Sequence, residues 1–160
     1  DVSDEALLAR AEEWLDLDAL AAGRGSDATS GLRGLLGWRE SARLDEVVPE
    51  TITVPSGSRI RIDYPEPGSD TSPVLAVKLQ ECFGWADGPT VCDGRVRVVL
   101  HLLSPARRPL AVTDDLASFW ASVYPAVRVE NRGRYSKHPW PEDPMTATPT
   151  KRTNRALRGN

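Results

Sequence analysis

The chain has 160 residues, 40% hydrophobic and 27% charged, which is enough for one domain and too ordinary for a disordered body. Its net charge of −3 hides an asymmetry: residues 1–50 hold twelve Asp/Glu against five Arg, and residues 131–160 hold seven Lys/Arg against two Asp/Glu. No signal peptide is visible and no apolar run approaches the ~20 residues of a bilayer span, while two Cys and two His are too few for a disulfide framework or a zinc site.

The chain opens on Asp1, not Met, and enters a helix almost at once, which reads as a piece cut from a longer protein; nothing suggests a secretory context, and a cytoplasmic location is expected. Ser3 or Asp4 caps that helix, with Leu7, Leu8, Ala11, Trp14 and Leu15 on one stripe and Gly23 and Gly25 at its end. Ser30 can cap a second helix whose apolar face is Leu32, Leu35, Leu36 and Leu44. Gly34 and Gly37 inside it point to close packing. Pro49 breaks it. Ile52 and Val54, then Ile60, Ile62 and Tyr64, alternate with polar residues around a Pro-Ser-Gly-Ser turn, predicting a β-hairpin with Gly57 at positive φ.

Residues 65–73 form a loop. Residues 74–77 are a short strand or the first turn of a helix that ends at Gly84. The most apolar stretch is residues 95–103, Arg-Val-Arg-Val-Val-Leu-His-Leu-Leu. It is bounded by Gly94 and Pro105, and apolar on both faces as a central strand would be. A basic turn with Arg107 and Arg108 leads to a returning strand at residues 110–112. Thr113 or Asp114 then caps a helix with Leu116, Phe119, Trp120 and Val123 inward, and Pro125 ends it or opens the next. After Tyr135 the chain is Pro-rich, polar and extended.

Strands clustered between helices make the class α+β: two N-terminal helices, a mostly antiparallel sheet of about four to five strands with helices packed on it, and a basic Pro-rich tail. The divisions are a helical lead-in at 1–48, a core at 49–135 and the tail at 136–160, forming one compact domain overall.

No phosphate loop, dinucleotide fingerprint or Ser elbow is present. His101 reads as a core or edge histidine, Cys82 as a small buried residue, and the Asp114–Asp115 pair as a cap rather than an acid–base couple. No convergent catalytic set or metal site is visible, so the chain is not read as an enzyme. The tail carries more. Arg132, Arg134, Lys137, Lys151 and Arg152 can neutralise phosphates, as can Arg107 and Arg108, while Tyr135, His138 and Trp140 offer stacking faces. Trp140 and Tyr135 can equally pin the tail onto its own domain.

Six stretches then fall into a pattern. They are Leu32-Arg-Gly-Leu-Leu-Gly-Trp-Arg, Thr53-Val-Pro-Ser-Gly-Ser-Arg-Ile, Val77-Lys-Leu-Gln-Glu-Cys-Phe-Gly-Trp, the run from Gly94 to Pro109, Thr113-Asp-Asp-Leu-Ala-Ser-Phe-Trp, and Arg132-Gly-Arg-Tyr-Ser-Lys-His-Pro-Trp-Pro-Glu-Asp-Pro. In this order they resemble the C-terminal region of bacterial HrpB-type ATP-dependent RNA helicases of the DEAH-box group, over residues 30–153. Ser136 stands where the family often has Pro, and Val129 and Asn131 weaken a stretch that reads as helix elsewhere. The resemblance implies a non-catalytic accessory domain that helps a helicase hold RNA or DNA, with ATP and Mg²⁺ bound by motor domains outside this chain. The alternative is a docking module for the helicase core or another partner, motivated by the acidic N-terminus and by Trp14, Trp38, Trp85, Trp120 and Trp140.

Overall fold

A computed structural model describes residues 3–158, which fall into a helical unit ending at Glu46 and a larger unit beginning at Val47. The outermost residues of the expected lead-in and tail, 1–2 and 159–160, lie outside the described residues.

In the first unit the expected long helix is interrupted twice. Ser3 Oγ accepts the Ala6 N–H and caps α1 (Asp4–Ala9). The chain leaves helical geometry at Arg10, resumes as α2 (Ala11–Trp14), and turns extended at Leu15. Asp16 then caps α3 (Leu17–Ala21), accepting the Ala19 N–H at 2.9 Å. Such a cap offers the backbone an alternative to continuing the helix, and an apolar stripe does not register it.

The second expected helix is likewise two, α4 (Ala28–Gly34) and α5 (Trp38–Val47). Its cap is Asp27, which accepts from Ser30, rather than Ser30 itself. Of the two glycines expected to pack closely, Gly34 faces open space, whereas a Cβ on Gly37 would meet the Glu40 carboxylate, and the tightest approach to backbone is at Gly31. A Cβ on Gly31 would overlap the Trp14 carbonyl. Arg33 donates twice to Asp45, at 2.8 and 3.2 Å, tying α4 to α5.

The second unit begins with the predicted hairpin, β1 (Thr51–Thr53) against β2 (Arg59–Arg61), with Ile52 opposite Ile60 and Gly57 at φ +86°. Glu81, itself buried, accepts from the hydroxyls of Ser56 and Ser58 and holds the turn down. The main sheet departs from expectation. It has three strands in the order β3 (Val74–Lys78), β6 (Val99–Leu103), β7 (Pro109–Thr113), and β3 runs parallel to β6. The parallel pair is possible because residues 79–98 cross over. They carry a 3-10 turn (Leu79–Cys82), where an α-helix was one expectation, and a small ribbon of β4 (Thr90–Val91) and β5 (Val96–Arg97).

β6 is central as predicted, although the apolar run is cut at Val98, whose N–H turns aside to the Pro89 carbonyl. Val98, Leu100 and Leu102 are buried, and Val99, His101 and Leu103 are half-buried. Pro109 has no N–H to offer, and the β6–β7 register shifts beside it, at Leu102/Leu103.

The last long helix runs from Leu116 to Arg132 in three parts: α6 (Leu116–Ser118), a π turn (Phe119–Val123) and α7 (Tyr124–Arg132). Asp115, rather than Thr113 or Asp114, is the cap. Pro125 sits in the first turn of α7, as one expectation had it, although the chain does not leave helical geometry before it. The Tyr124 N–H reaches back five residues to the Phe119 carbonyl, and the widened turn accommodates the proline ring. Phe119, Trp120, Tyr124 and Val127 thereby face the same core, where Phe83, Trp120 and Tyr124 meet at ring distances of 5.4–6.4 Å. Of the five Trp, Trp120 and Trp140 are in the core, Trp14 and Trp85 are half-buried, and Trp38 is exposed.

Candidate nucleic-acid interface

Residues 136–153 contain no regular element, yet they form a strap stitched across the larger unit. The Trp140 indole is 9% exposed and part of the core, and its N–H donates to the Tyr135 carbonyl at 3.2 Å. The Tyr124 hydroxyl donates to the Pro141 carbonyl at 2.7 Å, and Arg128 Nε to the Trp140 carbonyl at 2.8 Å. The Gly84 N–H reaches the Pro144 carbonyl and the Thr150 N–H the Gln80 carbonyl, at 2.9 and 2.8 Å. Burial pushes the Tyr124 phenol up to about 12. The strap is not extended to its end, because α8 (Asn154–Arg158) follows it.

This placement sorts the predicted residues. Trp140 is committed to packing, and Tyr135 is half-buried against the same core. His138 is half-buried, and its Nδ1 has no hydrogen-bond partner among the described residues. Burial, then the nearby Lys78 ammonium, hold its pKa below the ordinary value of 6.5, which favours the neutral ring. Arg107 and Arg108 are exposed in the β6–β7 turn, where Ser104 Oγ accepts the Arg108 N–H and Arg107 takes φ +63°. Arg132 and Arg134 are exposed where α7 ends.

Lys137 is different. With Ser136, Thr153, Asn154, Arg155 and Arg158 it lines a cleft of about 530 Å³. The cleft is built by the main chain: the Asn154 N–H donates to the Lys137 carbonyl at 2.7 Å, and Asn154 Nδ2 to the Ser136 carbonyl at 3.4 Å. No carboxylate pairs with Lys137, Arg155 or Arg158 among the described residues. Lys151 and Arg152 are exposed just before it, while Arg107, Arg108, Arg132 and Arg134 do not line it. Three cations without a carboxylate partner among the described residues, set around hydroxyl and amide groups, suit a phosphodiester backbone. In the sequence Arg155 and Arg158 count only among the seven Lys/Arg of residues 131–160. Their i, i+3 spacing, which puts them on one face of α8, was the available signal.

Cys82 is fully buried, and burial pushes its thiol far up. Asp115 accepts the Ser118 N–H as a cap. Among the described residues no His, Cys, Asp or Glu group is placed to hold a metal ion, and no helix is long and apolar enough to cross a membrane.

The family described as ATP-dependent helicase C-terminal, HrpB type, matches residues 11–144. The chain belongs to this HrpB C-terminal family. It is 48% identical over 159 residues to the ATP-dependent RNA helicase HrpB of Escherichia coli strain K12, covering 96% of this chain and 19% of that protein. The crystal structure of the E. coli DExH-box NTPase HrpB superposes with a TM-score of 0.84 at 49% identity, covering 96% of this chain and 19% of that one. A second crystal structure, of the E. coli DEAH/RHA helicase HrpB, matches at 0.65 with 46% identity over 87% of this chain and 18% of that one. The HrpB C-terminal chain thus spans about a fifth of the length of the relatives it matches.

Proposed function

We propose that this HrpB C-terminal domain is a non-catalytic accessory part of an ATP-dependent RNA helicase, and that it helps the parent enzyme hold single-stranded nucleic acid at the cleft of Lys137, Arg155 and Arg158. ATP and Mg²⁺ belong to motor domains outside this chain, which itself carries no phosphate loop. The observation that carries the reading is the convergence of three cations, none paired with a carboxylate among the described residues, beside Ser136 and Asn154 in one cleft. Phosphates neutralised there release counterions, so binding is weak and salt-dependent, with little base selectivity.

Fluorescence anisotropy of the 160-residue chain with single-stranded RNA tests this. Binding at low salt should fall with a log–log slope of about −2 for three contacted phosphates. Changing all three cations to Ala should abolish most of that slope, whereas Arg107→Ala should leave it. Undetectable binding at low salt would discard the reading. A DNA strand of the same sequence that binds equally would show backbone recognition without use of the 2′-hydroxyl.

A further inference from the structure

The helical unit leaves several large apolar side chains in solvent, Leu8, Leu17, Leu20, Trp38 and Leu44 among them. Among its described residues only Ala19 is buried. Leu7, Leu32, Leu35, Leu36 and Leu44 wall a groove of about 350 Å³ between α1, α4 and α5. Trp38, 78% exposed, and Leu8, 72% exposed, belong to the same unit. The Arg39 guanidinium lies 5.6 Å from the Trp38 ring centroid without covering it. Helices as short as these five, of 4 to 10 residues, are marginal in water unless an apolar face is packed. A unit of this size also buries too little to hold itself together. The groove therefore needs an occupant.

Charge indicates which. Residues 4–46 carry ten carboxylates and only five arginines. Arg10, Arg33 and Arg43 already face Glu13, Asp45 and Glu46. A second copy would bring the same net-acidic unit against itself. The relatives, by contrast, place about four fifths of their length outside the matched region. Covalent attachment raises effective concentration to about millimolar, so a small groove suffices for a tethered partner. We propose that the groove receives an amphipathic helix from the part of the helicase polypeptide outside these 160 residues, with Leu- or Phe-sized side chains inserted and a Lys- or Arg-rich opposite face that complements the net negative charge of the unit. This rests on the chain being one part of a longer helicase and is independent of the nucleic-acid cleft.

Hydrogen–deuterium exchange tests it by comparing the isolated chain with the longer helicase polypeptide. Amides of residues 32–36 and 44 should exchange at least about tenfold more slowly in the longer protein, while those of β3 and β6 keep their rates. Raising salt from about 0.05 to about 0.5 M should erode that protection. In the longer protein, Leu36→Asp should return the helical unit to the isolated chain's rates. Trp38→Ala, at a side chain too exposed to hold the unit's own fold, should do so in part. Equal rates in the two proteins would overturn the proposal. So would slow exchange already present in the isolated chain, whether as a monomer or as a dimer, or protection indifferent to both substitutions. Loss of RNA binding at the cleft would leave each of these readouts in place.

Discussion

The Tyr124 hydroxyl shows how much one polar atom can do in this domain. It is sealed in the aromatic core, yet it is donated to the strap at Pro141. Tyr124→Phe should cost about 1 kcal/mol in denaturant unfolding, the usual net worth of such a bond. The raised phenol also sets a pH dependence. The folded state holds the proton more tightly than the unfolded chain, so this contribution is complete below about pH 10 and is lost as pH climbs through about 12. The Phe variant should lack that alkaline decline. His138 works in the opposite sense. Its depressed pKa means the unfolded chain binds the proton more readily, so its contribution is present above 6.5 and is lost as pH falls below that value. Unfolding midpoints measured between about pH 5 and 7.5 should flatten in His138→Ala.

Among the elements, α2 and α4 touch closely enough that a single methyl intrudes. Gly31→Ala should destabilise the helical unit by about 1–3 kcal/mol, read as loss of helical circular dichroism without loss of the β6 signal in exchange. Glu81→Ala should free the Ser56–Ser58 turn at a cost of about 1–3 kcal/mol, because two hydroxyls lose their acceptor. These two sites differ in how well the sequence announced them. The hairpin was legible because alternation and Gly57 act locally, and β6 because nothing else in the chain is so apolar. Gly31 was not, since its constraint comes from a carbonyl seventeen positions earlier. The breaks at Arg10 and Leu15 were hidden because the apolar stripe continues through them. The parallel pairing of β3 with β6 depends on a crossover that no short-range signal encodes. Arg155 and Arg158 looked like loose charge because the tie from Asn154 to Lys137 is visible only in three dimensions.

At the scale of the whole molecule, residue 135 is not the end of the folded part. A chain stopped there would lose Trp140, Pro144 and Thr150, all buried, and uncover Phe83, Trp120 and Tyr124. Removing the Trp140 contribution alone should cost about 3–5 kcal/mol. The shortened protein should bind a hydrophobic dye and lose its near-ultraviolet dichroism while keeping far-ultraviolet signal. A further consequence concerns time. The strap closes onto Gln80 and Gly84 from positions 150 and 144, and β3 must find β6 across twenty residues of crossover. Partners so distant along the chain make for sluggish assembly, on the order of milliseconds to seconds. The strap should dock last and lift first. Stopped-flow fluorescence of Trp140 should therefore trail the formation of secondary structure, and a protease should find its first cut between residues 141 and 149.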